Sequence, residues 1–118
     1  MRTFLARLAF VASFGAASPS QDVMLQAWHW DYPKVGCNGH VGPSHAATMA
    51  ARAVAQRSAG FTRVWLPPLS KASFGDCSNG YDPKDLYDIG QVSGRTGVGT
   101  GAEVAQWIAA RLTTPASA

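Results

Sequence analysis

Cysteine is scarce in this chain: Cys37 and Cys77 are the only two in 118 residues, and they form no Cys-x-x-Cys pair. His29, His40 and His45 have no partners at metal-ligand intervals, so a zinc site is not expected. Charge is also thin, at 14% of residues, with ten Lys and Arg against seven Asp and Glu and a net charge of +3. Nucleic-acid binding requires a clustered basic face, which such a balance does not suggest. Nor is there an apolar run of the roughly 18 residues needed to span a bilayer, so no membrane partner is expected.

What the N-terminus does hold is "MRTFLARLAFVASFGAA", with Arg2 and Arg7 ahead of an apolar stretch from Leu8 to Phe14 and then small residues. That three-part layout predicts a signal peptide over residues 1–17 and therefore a secreted, extracellular or periplasmic chain. In a secreted chain Cys37 and Cys77 could pair, closing a loop worth about 4 kcal/mol in the chain-entropy model.

The remaining length suits one small domain. "DVMLQAWHW" from Asp22 to Trp30 reads as a strand with apolar residues on both faces, as in a buried parallel sheet. Ser44 can cap a helix running to about Ala59, which Gly60 stops. Along that helix Thr48, Arg52 and Gln56 form the expected wet stripe, with Met49, Ala53 and Val54 facing inward. "FTRVWLPP" from Phe61 to Pro68 gives a second strand, ended by two prolines. A Gly- and Ser-rich stretch from Leu69 to Gly99 follows, long enough to suggest function. Thr100 and Glu103 then make a capping box, opening a helix whose expected apolar face is Ala105, Ile108, Ala109 and Leu112. The order strand, helix, strand, loop, helix predicts an α/β fold with parallel strands.

Within the long loop, "SNGYDPKDLYDIGQ" (Ser78 to Gln91) places Asp82, Asp85 and Asp88 three residues apart, among Tyr81 and Tyr87. A calcium loop of the EF-hand kind is excluded, because the central Gly and closing Glu are missing. Together with "VMLQAWHWDYPK" and "GFTRVWLPPLSK", this stretch resembles the start of the alpha-amylase family of glycoside hydrolases, over roughly Asp22 to Ala110. The resemblance implies the first two β/α units of an incomplete (β/α)8 TIM barrel over residues 22–112, in a protein that cleaves α-1,4-linked glucans such as starch, glycogen and maltooligosaccharides. Val23 to Trp30 would be the first barrel strand and Arg63 to Leu66 the second. The loops after them would lie on the catalytic face.

Tyr81 matches the family tyrosine that stacks on the sugar beside the scissile bond, and Trp30 an aromatic position near the cleft. An aromatic face suits the C–H side of a pyranose. Trp28 is assigned to the core, and Asp85, Leu86 and Tyr87 to structural roles. On the same mapping Cys37 and Cys77 fall in loops after neighbouring strands, which makes a disulfide geometrically possible.

The aspartates are not expected to be catalytic. Glycoside hydrolysis needs two carboxyl groups about 5 to 9 Å apart across the bond, and the family takes its acids from later strands. The chain therefore carries no catalytic residue and no metal ligand by this reading, although calcium is expected in a complete family member. Residues 113–118 in "RLTTPASA" depart from the family pattern, and a frame break near Arg111 or a truncated remnant is expected. Three readings stand at this point. The chain is the N-terminal fragment of a secreted alpha-amylase-like enzyme, inactive alone; or a non-catalytic glucan-binding fragment; or a small disulfide-linked structural α/β domain.

Overall fold

The computed structural model describes residues 21–113. The expected signal peptide and the end of the aberrant tail (residues 114–118) lie outside them. The elements run β1 (Met24–Gln26), α1 (His45–Ala51), α2 (Ala53–Ser58), β2 (Arg63–Trp65), β3 (Lys71–Ala72), β4 (Pro83–Asp85) and α3 (Gly101–Thr113). β1 and β2 pair in parallel, with Leu25 opposite Val64, while β3 and β4 pair antiparallel.

The expectation of barrel units is corrected by this architecture. The described residues form a small globule of three helices and short strands, divided between two separate two-stranded sheets. Closing a barrel requires a continuous staggered sheet, and strands of two or three residues that each have a single neighbour do not begin one. The Asp22–Trp30 stretch is extended enough to ladder only at its centre, because the chain turns at His29, where the Tyr32 N–H reaches the His29 carbonyl at 3.1 Å.

Helix boundaries follow local chemistry. Ser44 has the extended backbone of an N-cap, and its Oγ accepts from the Ala47 N–H at 3.1 Å. The expected single helix is two helices meeting at Arg52, whose N–H bonds the Met49 carbonyl at 3.2 Å in a tightened turn. Beside the break, the Thr48 hydroxyl donates to the Ser44 carbonyl at 2.9 Å, a back-bond that bends helices. The change of phase puts Gln56 inside and leaves Val54 64% exposed. Both placements reverse the expected stripe. Gly60 ends α2 with φ +90°, and its N–H reaches the Arg57 carbonyl at 2.9 Å.

α3 begins with the capping box that Thr100 and Glu103 predict. Glu103 Oε2 accepts from the Thr100 N–H at 2.8 Å and Thr100 Oγ1 from the Glu103 N–H at 3.2 Å. Burial pushes the Glu103 carboxyl up, but the bonds from Thr100 and Ser44 outweigh it and leave its pKa below the ordinary value. The buried face, however, is Val104 and Trp107, while Ile108 and Leu112 are exposed. Ala27, Ala46, Met49, Val98, Val104 and Trp107 form the core, and Leu25, Val64, Leu66 and Leu69 pack against it. The β1–β2 sheet thus covers one face with helices. Its other face, with Met24 and Trp65, is half exposed.

Candidate functional site

The opposite face of the sheet leads upward into rings. Trp28 and Trp30 follow β1, and Trp28 is buried while Trp30 is 64% exposed. Tyr81 arrives from the loop after β2 and lies between them. Its ring stacks on Trp30 at 6.1 Å between centroids and 15° between planes, and tilts against Trp28 at 5.9 Å. Both values fall in the range of offset-stacked pairs. Trp28 in turn meets Trp65 and Tyr32 edge-on, each at 6.2 Å. The outer rings therefore rest on a packed aromatic base.

Tyr81 is held by the residues on either side of it. Gly80 has φ +87°, and a Cβ there would sit 2.7 Å from the Pro68 carbonyl oxygen, so the backbone passes directly over the prolines that end the β2 segment. On the other side Asp82 accepts from the Ser78 hydroxyl and from the Phe74 N–H, the latter at 2.7 Å. Ser78 Oγ also accepts the Gly80 N–H at 3.0 Å. The bond from Ser78, followed by that from Phe74, holds the Asp82 carboxyl below its ordinary range.

Asp85 accepts the Tyr87 N–H at 2.9 Å. Asp88 accepts the N–H groups of Gly90, Val92 and Ser93 and the Ser93 hydroxyl. The Ser93 bond is the largest cause of its lowered pKa. The depression of Asp82 and Asp88 is opposite to what a general acid requires, and all three carboxylates are occupied by their own loop. Among the described residues no group of three or more His, Cys, Asp and Glu side chains could hold a metal ion.

A cleft of about 460 Å³ opens beside the stacked pair, lined by Trp30, Phe74, Cys77, Ser78, Asn79, Tyr81 and Asp82. Sequence reasoning had singled out Trp30 and Tyr81 but not Phe74 or Asn79. An aromatic residue in the otherwise small and polar run Ala72–Gly80 was the available signal. Phe74 is 86% exposed. Leu86 and Tyr87 are exposed and outside this cleft. Cys37 and Cys77 are joined by a disulfide with Cα atoms 5.6 Å apart, tying the loop after β1 to the loop after β2.

A ring-lined cleft is thus what the two loops build, and similarity to a known protein can be set beside it. Over 68 residues, 58% of this chain, the sequence is 40% identical to the cytoplasmic alpha-amylase of Escherichia coli (strain K12). The chain spans only 12% of that relative's length. No family model matches. What is shown is thus likeness to an alpha-amylase over a limited segment. The expectation of a secreted, extracellular or periplasmic chain is corrected by this relative, which is a cytoplasmic protein. Arginines before a short apolar run are a compositional cue, and residues 1–17 that carry it lie outside the described structure.

Proposed function

We propose that the chain supplies a sugar-binding face of an alpha-amylase-like glycoside hydrolase, with an α-1,4-glucan as its partner and Trp30 and Tyr81 as substrate contacts. The observation that carries this reading is the stacked pair itself, two rings each more than half exposed on the rim of a cleft. Leaving large apolar faces in water is unfavourable, and a pyranose offers the flat C–H surface that relieves it. On this reading the segment binds and orients the glucan.

Calorimetric titration of the 118-residue chain with maltotriose through maltoheptaose tests the reading. Saturable binding is expected, with no hydrolysis. Trp30→Ala and Tyr81→Ala should each weaken it about fivefold to tenfold, as ring stacking is worth roughly 1 kcal/mol. Absence of binding to any of these oligosaccharides would instead favour a small disulfide-linked structural unit.

A further inference from the structure

The two loops that carry the stacked rings share no backbone ladder with one another at that level. Trp30 sits in the turn after β1 and Tyr81 in the loop after β2, while the β1–β2 pairing ends at Gln26 and Trp65 apart from the Ala27 N–H bond to the Trp65 carbonyl. What joins the loops covalently beyond the rings is Cys37–Cys77. Cys37 is buried, whereas Cys77 is exposed at the end of the 3-10 turn Gly75–Cys77. Cys77 lines the aromatic cleft and also a second cleft, of about 540 Å³, with Cys37, Tyr32, Lys34 and His40. The sulfur nearer solvent therefore stands between the sugar-facing rings and an open approach for a thiol. Lys34 also lines that approach, its ammonium donating to the Tyr32 carbonyl at 3.3 Å and lying 4.0 Å from the centroid of the Tyr32 ring.

We propose that Cys37–Cys77 is a reducible clamp on the aromatic face: oxidised, it holds Trp30 and Tyr81 in stacking register, and reduced, it releases the two loops and the face is lost. The inference rests on the glucan reading for its consequence but not for its geometry. The reductant is a dithiol. Its thiolate attacks Cys77 Sγ, the Cys37–Cys77 bond breaks, and Cys37 Sγ leaves as a thiolate and takes up a proton. The second thiol of the reductant then attacks the mixed disulfide, freeing Cys77 as a thiol and closing the reductant's own disulfide. Two electrons pass from the dithiol to the protein. A bond of this kind persists in an oxidising compartment and opens in a reducing one. Preorganised rings bind better than rings that must be ordered on binding, so reduction weakens the site without removing a contact residue.

The test uses the full chain, oxidised, reduced with dithiothreitol, and reoxidised with oxidised glutathione, with two free thiols confirmed by mass after alkylation. Maltopentaose affinity should fall roughly tenfold on reduction and return on reoxidation. In parallel, the upfield ring-current shift of the Tyr81 ring protons should collapse in the reduced form, while the methyl signals of Val98 and Val104 stay dispersed. The double variant C37S/C77S should bind weakly whether or not dithiothreitol is present. If that variant does not fold, the reduction and reoxidation cycle on the unaltered chain decides alone. Equal affinity in both redox states overturns the clamp, as does collapse of the core methyl dispersion on reduction, which would make the bond a general staple. If the oxidised chain binds no glucan, the functional reading fails. The Tyr81 shift then still judges the clamp, and its persistence after reduction overturns it.

Discussion

Asp88 and Tyr81 belong to the same loop and stand on opposite terms with their surroundings. The Asp88 carboxylate is enclosed, gathering three backbone N–H groups and a hydroxyl. The Tyr81 ring is 56% exposed and touches other rings on only part of its surface. One end of the loop has used its polar chemistry to fold itself. The other has kept its apolar chemistry available. The difference teaches that conspicuous acids in an amylase-like segment can be scaffolding, and that the surface such scaffolding leaves open is made of rings.

The largest expected effect comes from breaking the enclosed end. Asp88→Ala leaves the N–H groups of Gly90, Val92 and Ser93 without their acceptor, and a buried donor left unpaired, as that of Gly90 would be, is costly. Loss of hydrogen-exchange protection at those three amides and a clear fall in the urea midpoint are expected. Unchanged protection would mean the carboxylate does not organise the loop. Next in size is Gly80→Ala, which demands φ +87° of a residue with a side chain and drives its Cβ to 2.7 Å from the Pro68 oxygen. A destabilisation of about 2 to 3 kcal/mol by chemical denaturation is expected, with loss of the Trp30–Tyr81 stack.

Acid should act on the same end. Burial holds the His45 imidazole below its ordinary 6.5, and hydrogen bonds hold Asp82 and Asp88 below 3.8. In each case the unfolded chain binds protons more readily than the folded one. Stability is therefore fully present above pH 6.5, begins to fall below it as His45 resists charging, and falls further below 3.8 as the loop carboxylates protonate. A urea midpoint that rises on acidification would contradict this sign. The smallest effect on stability belongs to the open end: Tyr81→Ala should change it by no more than about 0.5 kcal/mol while weakening glucan binding about fivefold to tenfold. A large loss of stability would show the ring to be packing instead.

Much of the local structure was legible because single residues carry it. Ser44, Gly60, Thr100 and Glu103 do in the structure what their types dictate. Helix phase was harder to read. Ala105 and Ala109 satisfy an apolar stripe without weighing on it, and the face that wins is set by Trp107, whose burial outweighs that of any alanine. Gln56 and Val54 exchange places because the break at Arg52 rotates α2, a tertiary effect that helical periodicity does not contain. The barrel expectation came from resemblance, whereas strand length depends on neighbours that a two-stranded sheet lacks. Trp30 and Tyr81 are candidates by motif alone, whereas their mutual stacking and the presence of Phe74 in their cleft depend on how two loops meet.

The ring contacts also wire the molecule for observation. From Trp30 they pass through Tyr81 to Trp28, and from there to Trp65 on one branch and through Tyr32 and His45 to Trp107 on the other. All four tryptophans of the chain lie on this path. Neighbouring rings this close exchange excitation energy, and a charged imidazole quenches an indole beside it. The emission spectrum of the unlabelled protein should thus register a sugar arriving at Trp30 and a proton arriving at His45 as two separable changes in colour and intensity, with no probe attached.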